Sequence, residues 1–144
     1  MMWKIARGAI SLCGVLLFVS PSQAQKTGVE VWMHGSDIET PAHTATKALR
    51  DNVEIAVGRA SDMQLSLANK GLIRVTIPHD VIIARDGKVA YLLFEANVER
   101  IKPLYRSEIM GYCKLDALED CSAKIVLAIR SATAEGLSTS KVSP

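Results

Sequence analysis

The chain has 144 residues, 49% of them hydrophobic, with 17 Lys and Arg against 15 Asp and Glu. Two of the basic residues, Lys4 and Arg7, fall in the first seven positions, and without them the charges balance. A near-neutral chain of this size has no electrostatic basis for gripping nucleic acid or an anionic membrane, and it fits one domain rather than two.

The opening "MMWKIAR" is basic and free of acids, and an uncharged apolar run over 8–19 follows it. Pro21 ends the run, and Ser22 and Ala24 supply small residues three and one positions before a cut after Ala24. This is the tripartite pattern of a secretory signal peptide over 1–24. The apolar run is shorter than the roughly 20 residues of a membrane span. A retained anchor is the alternative to cleavage. Leu12 stands where a small residue would precede a lipidated cysteine, so Cys13 is expected to leave with the signal. The remainder is expected to form a single domain over 25–134 and a flexible tail over 135–144, in a periplasmic or secreted location.

Val29, Val31 and Met33 alternate with Glu30, Trp32 and His34, which predicts a strand over 29–34. Thr40 before Pro41 reads as an N-cap with proline at the first helical position, and Leu49, Val53, Ala56, Val57 and Ala60 follow at helical spacing. A helix is predicted over 41–60. Met63, Leu65 and Leu67 alternate, "ANKG" supplies turn residues, and Ile73, Val75 and Ile77 alternate again, so these two runs are expected to form a hairpin. Asp86-Gly87 between two β-rich runs is a second hairpin signal. A turn centred there would place Ile83 opposite Ala90, Ile82 opposite Tyr91 and Val81 opposite Leu92.

Phe94, Ala96 and Val98 extend the core side of that strand, and Pro103 separates it from a strand in which Ile109, Gly111 and Cys113 share a side. Asp116 with Glu119 resembles a capping box, and Leu118, Cys121, Ile125, Ile129 and Ala132 form a helical stripe. The predicted order is β-α-β-β-β-β-β-α. It implies an α+β fold: a mostly antiparallel sheet of about five strands with two amphipathic helices packed on one face.

Cys113 and Cys121 lie at a strand end and on the core stripe of the next helix. Export would place them in an oxidising compartment, and they are expected to form a disulfide. A metal site needs further ligands at short spacing, and a redox pair wants C-x-x-C; neither pattern is present. His34, His43 and His79 are far apart in sequence, G-x-S-x-G is absent, and "RDGKV" reads as a turn rather than a phosphate loop. No metal and no cofactor are expected.

The side of the sheet opposite Val31, Val75, Leu92 and Ile109 would carry Trp32, Leu72, Ile82, Tyr91, Leu93, Met110 and Tyr112, mixed with Glu30, Arg74, Glu95 and Glu108. A contiguous apolar and aromatic patch suggests an interaction surface. A covering loop or tail, or a one-residue slip that swaps the faces, would remove it. The binding face is assigned to Trp32, Ile82, Tyr91, Leu93, Met110 and Tyr112. The expected function is that of an exported non-catalytic binding or accessory protein of the bacterial envelope, with a protein partner, a small apolar ligand or a second copy on that face. A small periplasmic hydrolase or other envelope enzyme using His79 with Asp80, or His34, is the alternative.

Overall fold

The computed structural model describes residues 25–67 and 70–139. The expected signal segment, 1–24, lies outside them. The elements run β1 Thr27–Met33, α1 Pro41–Arg59, β2 Met63–Leu65, β3 Ile73–Ile77, β4 Ile82–Asp86, β5 Val89–Arg100, β6 Tyr105–Lys114 and α2 Leu118–Thr139. The α+β class and the element order are those the periodicity predicts.

Thr40 caps α1, its side-chain oxygen accepting from the His43 amide at 3.1 Å, with Pro41 in the first turn. Ala45, Leu49, Val53 and Val57 turn one stripe of α1 inward. Cys121, Ile125, Ile129 and Ala132 do the same for α2. Both stripes join Val29, Val75, Leu92, Ala96 and Val98 of the strands in one buried cluster. The even spacing along the strands and the 3.6 period along the helices meet in that cluster, whose burial supplies the main driving force for the fold.

The sheet is mixed rather than mostly antiparallel, with six strands among the described residues. β1 pairs in parallel with both β2 and β3, while β5 pairs antiparallel with β3, β4 and β6. The hairpin expected between β2 and β3 therefore does not form. Instead the chain leaves β2 on one side of β1 and reaches β3 on the other. Ser66 donates to the Val29 carbonyl and Leu72 to the Gly28 carbonyl, both at 2.9 Å, as the connection crosses. Two glycines permit this approach. A Cβ on Gly71 would stand 2.6 Å from Glu30 Cγ, and one on Gly28 would stand 3.0 Å from Ser66 Oγ.

The β4–β5 hairpin exists with a different turn. Asp86 pairs with Val89, so Gly87 and Lys88 are the turn residues and Gly87 takes φ 62°. Ile82 consequently faces Leu93, and Ile83 faces Leu92. The register moves by two residues, an even step, so every side chain keeps its expected face. Most of β4 is exposed, because the hairpin end extends beyond the region the helices bury.

At the other end, α2 begins at Leu118, which makes Ala117 and not Asp116 the flanking residue. Two backbone turns lead into it: Ala117 donates to Lys114 at 2.9 Å and Asp120 to Ala117 at 3.0 Å. Cys113 and Cys121 are bonded, with Cα atoms 5.5 Å apart, pinning the end of β6 to the first turns of α2. Helical backbone continues to Thr139, into the stretch assigned to the tail.

Candidate functional site

β5 is the axis of the site. It alternates buried Leu92, Phe94, Ala96 and Val98 with Tyr91, Leu93, Glu95, Asn97 and Glu99 on the other side. Leu93 is flanked by Ile82 of β4 and Tyr112 of β6, and Glu95 by Met110 of β6. Pairing thus assembles an apolar surface from residues up to thirty positions apart. Met110 is 81% exposed, Tyr112 62%, Ile82 61% and Leu93 40%.

Together they line a groove of about 300 Å³, with His79 and Glu95 at its rim. Gly111 and Phe94 complete its lining. Tyr91 meets Tyr112 edge-on, ring centroids 6.3 Å apart, at the border of this surface. Lys124 of α2 reaches around the sheet edge to the same tyrosine. Its ammonium stands 4.8 Å from the Tyr112 ring centre and donates to the Tyr112 carbonyl.

Five of the six residues assigned to the binding face therefore gather at one end of the sheet: Ile82, Tyr91, Leu93, Met110 and Tyr112. Trp32 does not join them. It pairs with Thr76, and three strand spacings, roughly 14 Å, separate β1 from β6. The Arg74 guanidinium lies 5.4 Å from the Trp32 ring centre and holds Glu30 at 3.3 Å. The Glu30 side chain is 1% exposed and accepts from the Lys70 amide at 3.2 Å. The crossing between β2 and β3 covers this part of the face, so a loop does close one end of it. Leu72, in that crossing, is separated from the groove with Trp32.

The histidines are arranged otherwise than their sequence neighbours suggest. His79 points its Nε2 at Glu95, 2.9 Å away, and its Nδ1 at the Asp80 carbonyl, 3.1 Å away. Its pKa is raised, first by that carbonyl and then by the Glu95 carboxylate, against a small opposing effect of burial. The Asp80 carboxylate turns instead to His43 Nδ1, at 3.1 Å, in a half-buried contact. Burial opposes its ionisation. Hydrogen bonds from His43 and the Ser36 amide outweigh that, and hold the Asp80 carboxyl below the usual range. Gly35 leaves the space for this pair, since a Cβ there would collide with the carboxylate.

His43 with Asp80 is the imidazole–carboxylate contact that chain proximity did not reveal, because it bridges α1 and the bend after β3. Ser36, whose amide donates to the Asp80 carboxylate, has its hydroxyl engaged in its own turn, accepting from the Ile38 amide at 2.9 Å. His34 is exposed, with its amide donating to the Ile77 carbonyl at 2.8 Å. Among the described residues no group of three His, Cys, Asp or Glu could hold a metal ion, and no helix is long and apolar enough to cross a membrane.

These features define an α+β domain whose mixed sheet carries an apolar groove at the β4–β5–β6 end, on the side facing away from the buried core. No family model matches the chain, and no curated protein matches it. Among solved structures the fold is similar to that of a PelC variant from Paraburkholderia phytofirmans, a dodecamer, at TM-score 0.52 and 11% identity. The likeness covers 72% of this chain and 87% of that one, and at this identity it is a likeness of fold.

Proposed function

We propose that the chain is an exported, non-catalytic binding protein of the bacterial envelope, periplasmic or secreted, that takes a protein partner on its groove face. The observation that carries this reading is the contiguity of Ile82, Leu93, Met110 and Tyr112, aligned across three strands and largely exposed. Isolated exposed apolar residues are ordinary on soluble proteins, whereas a joined aromatic, Met and aliphatic surface is typical of interfaces. The pattern of residues 1–24 and the Cys113–Cys121 bond support an oxidising destination. A similar fold occurs in an assembled protein, the PelC dodecamer, and a protein-contact role for the face is in keeping with that.

The test compares the wild-type mature chain with Tyr91→Ser/Tyr112→Ser. Each is used as bait on solubilised envelope, with circular dichroism and melting recorded alongside. The expected result is loss of the captured protein with the fold intact. Equal capture by the two baits would overturn the reading. Fractionation of cells producing the full chain tests the location separately.

A further inference from the structure

We propose that the partner on the groove face is a second copy of this chain, joined through the open edge of β6 in one antiparallel register; this rests on the protein-binding reading above. β6 is ten residues long and, among the described residues, pairs along one side only, with β5. Leu115, just past β6, bonds back to Ala90, while the Tyr112 carbonyl meets Lys124 instead. The odd positions thus bond to β5, and the even positions direct N–H and C=O to the open edge. The even positions Arg106, Glu108, Met110, Tyr112 and Lys114 also project their side chains onto the groove side of the sheet.

A twofold edge pairing must set even positions against even positions, which leaves few registers. Centred on Gly111, it places Met110 opposite the partner's Tyr112 and Glu108 opposite the partner's Lys114. Both contacts occur twice by symmetry. Centred on Met110, it opposes Arg106 with the partner's Lys114, a like-charge pair. Centred on Tyr112, it opposes Glu108 with the partner's Asp116, again like charges. Centred on Ile109, it leaves Glu108 and Lys114 opposite uncharged residues. Centred on Ser107, it opposes Arg106 with the partner's Glu108, but it sets Met110, Tyr112 and Lys114 against positions that precede β6. Among the registers that pair the groove residues within β6 of both copies, charge complementarity selects the Gly111-centred one, which also joins the two most exposed groove residues across the axis. The two sheets become continuous, and each groove gains the partner's Met110 as a wall. Lys124 limits the association, because in the single copy it occupies a carbonyl that pairing would use. A lysine at a strand edge restrains such contacts.

The disulfide-intact mature chain is studied by sedimentation and light scattering. A concentration-dependent dimer is expected. Glu108→Lys and Lys114→Glu should each raise its Kd about tenfold or more, because each turns two attractive cross-strand pairs into repulsive ones. The double reversal should return the Kd to within about threefold of wild type. Lys124→Met should tighten the dimer. The proposal is overturned if both wild type and Lys124→Met stay monomeric at about 200 μM, or if the double reversal fails to restore what each single change loses. A monomer whose capture of a different envelope protein is abolished by Tyr91→Ser/Tyr112→Ser would overturn the second copy and leave the binding face standing. A dimer and a capture both indifferent to those serines would overturn both.

Discussion

Phe94 and Gly111 face each other across the β5–β6 ladder, and a Cβ on Gly111 would stand 2.8 Å from two of the ring carbons. The phenylalanine fills the space its partner lacks, so the two residues are one packing unit. Gly111→Ala is expected to destabilise by about 1–3 kcal/mol, since the ring must leave its position in an otherwise filled core. Phe94→Leu alone should also destabilise, but the double variant should lose less than the sum of the two. Urea unfolding measures all three, and strict additivity would mean that the two sites are not coupled.

The Cys113–Cys121 bond closes a short loop between β6 and α2, and both sulfur-bearing side chains are buried. In the chain-entropy picture such a loop contributes about 2.5 kcal/mol by restricting the unfolded chain. Replacing both cysteines with Ala should therefore lower the melting temperature by roughly 10 °C for a domain of this size. Calorimetry of that variant, beside wild type with and without reductant, checks the value. Reduced wild type melting with the oxidised protein would refute a stabilising role.

Glu30 is the buried acid of the outward face, and Arg74 and the Lys70 amide are its partners. Removing the cation leaves a charge that neither solvent nor a partner fully compensates. Arg74→Ala is expected to cost about 3 kcal/mol in urea unfolding, whereas Glu30→Gln/Arg74→Met should cost distinctly less. The opposite ranking would show that the arginine acts through its packing on Trp32 rather than through the pair.

How much of this was legible in the chain follows from where each interaction lies. Helix stripes such as Leu49–Val53–Val57 and Cys121–Ile125–Ile129 are local, so their period exposes them directly. Strand faces are equally local, and they survived the misplaced turn at Asp86-Gly87 because the true turn, Gly87-Lys88, differs by an even register. Strand partners are not local. Alternation in 63–67 and 73–77 says that both are strands, but nothing in it says that β1 lies between them. The available signal was the pair Gly28 and Gly71, whose missing side chains let the chain cross β1. The same crossing buries Glu30 and separates Trp32 from the groove, so one topological error also overextended the binding face. His43–Asp80 escaped for the same reason, joining two elements 37 residues apart.

His79 sits at the rim of the groove with its ring between the Asp80 carbonyl and the Glu95 carboxylate, and only the protonated imidazole can donate to both. Its pKa is accordingly above the ordinary 6.5. Because the folded value is the higher one, the stabilisation is complete below the unfolded value and is lost as pH rises through the folded value. Asp80 behaves oppositely: its folded value lies below the ordinary 3.8, so its contribution is present above that value and lost only in acid. Any titration of the groove near neutrality is therefore expected from His79 and not from Asp80. Nuclear magnetic resonance should give a His79 midpoint above 6.5, with the Met110 and Ile82 methyl signals shifting at the same midpoint. Glu95→Gln should lower the midpoint without returning it fully, since the Asp80 carbonyl, the larger cause, remains. The effect on overall stability should be small, because more than half of the His79 side chain is in solvent. A wild-type midpoint at or below 6.5 would remove the rim contact from the account of the groove.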